Sequence, residues 1–117
     1  MTAKDAISAN RNQLIDAMLA TANRDIGTPE SGVRQFIVGF VGVLEASADG
    51  DHGPRDEYLA AVIPALRSGG MPLTTVVDGM LRVSMAASAV LPREHLEWLV
   101  SFCADYSRRM LELWERP

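Results

Sequence analysis

The run Ala65-Leu66-Arg67-Ser68-Gly69-Gly70-Met71-Pro72-Leu73 joins two apolar segments, and what kind of protein this is depends on how that joint folds. Upstream, Tyr58, Leu59, Val62, Ile63 and Leu66 recur at spacings of three and four, the pattern of one helix face. Gly69-Gly70 ends that helix, because glycine accepts the left-handed backbone of a helix C-terminus, and Pro72 suits the first turn of a new helix. The second helix presents Leu73, Val76, Val77, Met80, Leu81, Ser84 and Ala87 inward, and the small run Ala86-Ala87-Ser88-Ala89 lets another helix come close. Arg67 and Arg82 flank the joint and, with Gly69 and Pro72, are its candidate positioning residues. At least one arginine is expected to bond helix-terminal carbonyls or an acidic partner such as Asp78 or Glu57.

A hairpin competes for the same residues, since Asp78-Gly79 between Thr74-Thr75-Val76-Val77 and Met80-Leu81-Arg82-Val83 suits a type I′ turn. The apolar periodicity runs past Val83 into an alanine-rich segment of low β-propensity, and a lone hairpin needs further strands. Helix is the expectation.

Working outward, residues 3–25 form an amphipathic helix with Ile7, Leu14, Ile15, Met18, Leu19 and Ala22 inside, ended by Ile26-Gly27. Thr28 as N-cap and Pro29 in the first turn open a second helix over 29–48. Its Phe36–Leu44 run is apolar on nearly every side and reads as a segment wrapped by neighbours, with Gly39 and Gly42 as points of close backbone approach. Asp49, Asp51 and His52 lie in a glycine-containing loop without the ligand spacing of an EF-hand, so a solvated loop is expected. The third helix, 55–69, contains Pro64, which lacks the amide for the carbonyl of Ala60 and should kink or restart the helix. A fourth helix covers 73–91.

The last helix, 92–115, begins at Pro92. Its apolar residues, widened by Trp98, sweep about 220°, more than one core requires. The excess calls for either a further helix of the same chain or a second subunit, with Trp98, Phe102, Arg109 and Trp114 as candidate interface residues. Homodimerisation through this helix is the expected consequence. The predicted core is Leu14, Met18, Phe36, Ile37, Phe40, Val41, Leu44, Leu59, Ile63, Leu66, Val77, Met80, Leu81, Leu99, Cys103, Tyr106 and Met110.

Residues 1–117 fit one domain, and 48% hydrophobic with 22% charged residues is an ordinary globular composition. A net charge of −4 and a pI near 5.0 argue against a nucleic-acid surface. Cys103 is the only cysteine, which leaves no intrachain disulfide and no cysteine-based zinc site. The longest uninterrupted apolar run, Phe36–Leu44, is too short to span a bilayer, and the expected location is cytoplasmic.

Arg55, Tyr58-Leu59, Leu66-Arg67, Gly69, Pro72-Leu73, Val76 and Arg82, with a terminal helix ending in Leu111 and Trp114, resemble the helical N-terminal sensor domains of RsbR-type stressosome proteins and related bacterial regulators. The resemblance implies a globin-like fold without haem that dimerises and signals to an output domain. In that family an output module follows the sensor, whereas this sequence stops at Pro117, so it either acts alone or is one domain of something longer. The expected fold is thus all-α, a single five-helix globin-like or bundle domain.

Haem would need an axial ligand on a helix facing an apolar pocket. Only His52, in the loop, and His95, read as solvated or capping, are present, and no cofactor or metal is expected. A helix-turn-helix DNA binder fits the layout of Ile63–Arg82, but its second helix would carry Arg82 as the lone base. No nucleophile-base pair or cleft carboxylate pair marks an enzyme, and Cys103 has an apolar context. The expected function is therefore a stand-alone sensor or signalling domain acting through a homodimer and a regulatory protein partner. The alternative is an apolar small-molecule-binding domain, and a DNA binder ranks third.

Overall fold

The computed structural model describes residues 2–22 and 30–116. Among them there is no strand, and the order is α1 (Ala3–Ala9), α2 (Arg11–Ala22), α3 (Glu30–Ala48), α4 (Gly53–Ser68), α5 (Leu73–Val90), a 3-10 turn (Arg93–His95) and α6 (Leu96–Glu115). Thr74–Val83 lies wholly inside α5, which removes the hairpin. The expected helix end at Ile26-Gly27 and the Thr28-Pro29 start fall outside the described residues.

Among the described residues there are six α-helices where five were expected, because the first is split at Asn10, whose φ of −109° and ψ of 18° leave the helical region. Asn10 turns both its amide and its side-chain Nδ2 onto the Ala6 carbonyl, the latter at 2.8 Å, the local competition with helix that asparagine favours. A capping box opens α1: Thr2 Oγ1 accepts from the Asp5 amide at 3.1 Å, and Asp5 accepts from the Thr2 amide at 3.3 Å. The Thr2 hydroxyl and, next, the Thr2 amide hold the exposed Asp5 carboxyl below its ordinary pKa.

The joint closes as a Schellman turn. The Met71 amide donates to the Leu66 carbonyl at 3.1 Å and the Gly70 amide to that of Arg67 at 3.0 Å. Gly70 is the left-handed residue, with φ +73°, whereas Gly69 keeps an ordinary φ of −75°, so of the expected pair only Gly70 needs glycine's backbone freedom. Pro72 sits as the N-cap of α5, not in its first turn. The same device ends α3, with Gly50 at φ +84° and the Asp51 amide bonded to the Ala46 carbonyl at 3.0 Å. Gly70→Ala is expected to cost about 1–2 kcal/mol in urea unfolding, the strain of a left-handed L-residue, with Gly69→Ala closer to neutral.

Pro64 does not restart α4, which runs unbroken to Ser68. Pro64 and Ala60 are both exposed, so the residue whose carbonyl is left without its amide does not lie in the core.

The helices wrap around α3: α1, α2 and α4 pack directly on it, α2 lies along α5, and α6 closes the bundle against α4 and α5. Ala86 and Ala87 of α5 are buried, and their small side chains permit close helix approach. The fully enclosed centre is Ile7, Leu14, Met18, Val41, Leu44, Leu59 and Ile63. Phe36 and Leu81, both expected in the core, are 39% and 60% exposed, and Leu66, Val77 and Cys103 are half-buried.

By length and composition alone, α5 is the one described helix apolar enough to cross a membrane, with a mean hydropathy of 1.2 over 18 residues. Only 17% of it is buried here, at Met80, Ala86 and Ala87, and its exposed face carries the Arg82–Asp78 pair, Nε to Oδ2 at 2.9 Å, beside Leu81 and Met85.

Candidate functional site

Between α3, α4, α5 and α6 the packing leaves a partly open cavity of about 180 Å³. Val33, Phe36, Ile37 and Phe40 come from α3, and Tyr58, Leu59, Val62, Ile63 and Leu66 from α4. Thr75, Val76, Gly79, Met80 and Val83 of α5, Met71 of the joint, and Tyr106 and Met110 of α6 complete the wall. Met71 places the joint itself in this wall, between the residues that α4 and α5 contribute. Gly79 contributes to the space, since a Cβ built there would meet nothing within 4 Å.

Two phenols and the Thr75 side chain line this cavity among otherwise apolar side chains. Tyr58 Oη donates to the Phe36 carbonyl at 2.7 Å, a bond that bridges α4 to α3. Its ring meets Phe36 edge-on, centroids 6.0 Å apart at 79°. Tyr106 packs edge-on to Phe40 at 5.3 Å and tilted on Phe102 at 5.7 Å, yet its hydroxyl has no hydrogen-bond partner among the described residues. Burial raises the pKa of both phenols, and Tyr106 adds to the effect on Tyr58, so both stay protonated at neutral pH.

The four residues read from the sequence as an interface are held mostly by contacts within the chain. Trp98 stacks on Phe102 at 5.6 Å, and Phe102 is buried against Phe40. Trp114 is half-buried against the core. Arg109 bridges α6 to α4 through Asp56 at 3.5 Å and also pairs with Glu112 at 3.1 Å. Within the chain α3, α4 and α5 cover part of the wide apolar arc of α6, which leaves Trp98 and Trp114 half-buried, Val100 69% exposed and Leu111 outside.

Arg67 donates to the carbonyl of Arg116, tying the joint to the end of α6, and Arg82 pairs with Asp78 as described. Arg67 and Arg116 also border a shallow groove between α4 and α6, floored by Leu59, Ile63 and Leu113. His95, read from the sequence as solvated or capping, is neither. It is 8% exposed, makes no side-chain cap, and holds Nε2 3.4 Å from Glu94 Oε1 without a hydrogen bond. Neither histidine lines the cavity, and among the described residues no cluster of three or more histidine, cysteine or acidic groups stands ready for a metal. Cys103 shares a 3.1 Å contact with Ser84, and burial, only partly offset by that contact, raises its thiol pKa.

Tyr58, Tyr106 and Gly79 were not singled out as site residues by the sequence. The available signal was two phenols at inward helical positions and a glycine in the middle of an apolar stripe. No protein-family model, curated protein or solved structure matches this chain.

Proposed function

We propose that this chain is a ligand-binding sensor domain that takes a small apolar molecule between α3, α4, α5 and α6. The observation that carries the reading is the cavity of about 180 Å³ walled almost entirely by aliphatic and aromatic side chains. An apolar cavity of about 150 Å³ suffices to hold a benzene-sized molecule, so the occupant is on the order of ten heavy atoms. The globin-like sensor resemblance supplies a use for such a site: occupancy changes how α5 and α6 sit, and a partner protein reads the change. A cytoplasmic location fits that role.

The test is an amide-resolved NMR titration with benzene and indole. Shifts should concentrate on Ile63, Val76, Met80 and Met110, and Gly79→Leu, which places a side chain in the open space, should abolish them while leaving the chain folded. Shifts scattered over the surface, or equal in Gly79→Leu, would remove the ligand reading.

Pairing with a second copy belongs to the same sensor reading and has its own support. Leu81 and Met85, one turn apart on the outer face of α5, are 60% and 71% exposed. Light scattering at micromolar concentration should give twice the chain mass, and Met85→Glu should give monomers. A wild-type monomer would remove the pairing and leave the pocket.

A further inference from the structure

We propose that the Tyr106 hydroxyl is the polar anchor of this cavity and that the natural occupant is a neutral molecule carrying one hydrogen-bond acceptor, such as a carbonyl, on a compact apolar body. The inference rests on the ligand-binding reading above and specifies its chemistry.

Three observations lead to it. Tyr106 is 5% exposed and lines the cavity, and its oxygen has no hydrogen-bond partner among the described residues. Unlike the sealed Ser47 Oγ and His95 Nε2, this oxygen is reachable, so a ligand acceptor placed there gains a hydrogen bond to a donor that no described residue uses. Tyr58, the other phenol, is already engaged with the Phe36 carbonyl at 2.7 Å, so the cavity offers one unengaged phenol donor. Finally, the wall includes no charged side chain. An anionic ligand would lose its hydration there without a compensating cation, which selects against carboxylates and for neutral acceptors. Because Tyr106 stays protonated, it acts as donor over the whole physiological pH range.

The experiment uses the full chain and three probes of equal heavy-atom count: acetophenone, which has the acceptor; α-methylstyrene, which replaces the carbonyl by a methylidene; and benzoate, which adds charge. Wild type should bind acetophenone about three- to tenfold more tightly than α-methylstyrene, the range for one neutral hydrogen bond. Tyr106→Phe should erase that preference and keep the α-methylstyrene affinity, whereas Tyr58→Phe should keep the preference. Equal binding of the two neutral probes by wild type overturns the anchor and leaves the pocket standing. Loss of the preference in Tyr58→Phe alone overturns the assignment to Tyr106. Benzoate bound as tightly as acetophenone overturns the neutral selection. Binding of none of the three defeats the ligand reading itself. A measurement independent of any variant is the infrared carbonyl stretch of bound acetophenone in wild type: a shift to lower frequency than in hexane supports the bond, and an unshifted band overturns it.

Discussion

Phe40→Ala is expected to lower the unfolding free energy by about 3–5 kcal/mol, the range for truncating a buried aromatic. Phe40 is buried where α3 meets α6, edge-on to Phe102 at 6.0 Å and 61° and to Tyr106 at 5.3 Å and 90°. Edge-to-face geometry adds to the loss, because each ring's positive edge meets its neighbour's negative face, and such pairs contribute about 0.5–1.5 kcal/mol beyond area burial. Folded domains have about 5–15 kcal/mol in total, so this single change removes a large share of the margin. Urea unfolding should show a lower midpoint at unchanged slope, and Leu81→Ala, on an exposed side chain, should stay within about 0.5 kcal/mol of wild type. A Phe40→Ala chain as stable as Leu81→Ala would mean that α3 and α6 do not meet through this cluster.

Leu81 and Phe36 mark the limit of periodicity as evidence. At 100° per residue, Met80 and Leu81 both fall within a wide apolar arc, and only the position of the neighbouring helices decides that Met80 is buried and Leu81 faces out. In α3 nearly every side is apolar, so the sequence contains no polar face to say which apolar residue is left outside, and Phe36 is that residue. The joint was legible for the opposite reason: glycine and proline act through backbone geometry, which does not depend on what packs nearby. The Asn10 break turns on one side-chain bond to Ala6 within otherwise unbroken helix-compatible sequence. The cavity was not legible at all, since it consists of what the side chains of four helices fail to fill. His95 shows the same dependence, its flanking Arg93, Glu94 and Glu97 suggesting solvent while the turn folds the imidazole inward.

Placing α5, which is apolar, between α2 and α6 leaves one stripe of it facing out and another facing the cavity. Ligand and partner would therefore act on opposite sides of one helix. That arrangement couples them if occupancy displaces α5, and at Gly79, which lines the cavity, a Cβ would meet nothing within 4 Å. A ligand with no differential contact to the two positions of α5 would shift nothing, so the coupling rests on how deeply the occupant reaches past Gly79.

Gly39 and Gly42, in the middle of α3, should respond in opposite directions to alanine. A Cβ at Gly39 would lie 2.7 Å from Cε2 and 3.3 Å from Cδ2 of Tyr58, whereas a Cβ at Gly42 would meet nothing within 4 Å. Close approach, expected from the sequence at both, is thus a property of Gly39 alone. The clash at Gly39 has no easy outlet, because the Tyr58 ring is rigid and pinned at its far end by the 2.7 Å bond to the Phe36 carbonyl. Moving the ring sacrifices that bond, and moving the backbone separates α3 from α4. Overpacking of this kind costs about 1–3 kcal/mol, against a gain of up to about 1 kcal/mol from replacing glycine inside a helix. Gly42→Ala keeps only the gain. The two unfolding free energies should therefore straddle that of wild type, about 2 kcal/mol apart, with the urea midpoints displaced in opposite directions. In a Tyr58→Ala background the obstacle is gone, and Gly39→Ala should become stabilising like its neighbour, a double-mutant cycle that isolates the contact. If Gly39→Ala remains destabilising without the Tyr58 ring, the tight packing of α3 on α4 at this point has another source, and the wall of the cavity that Tyr58 forms is placed differently.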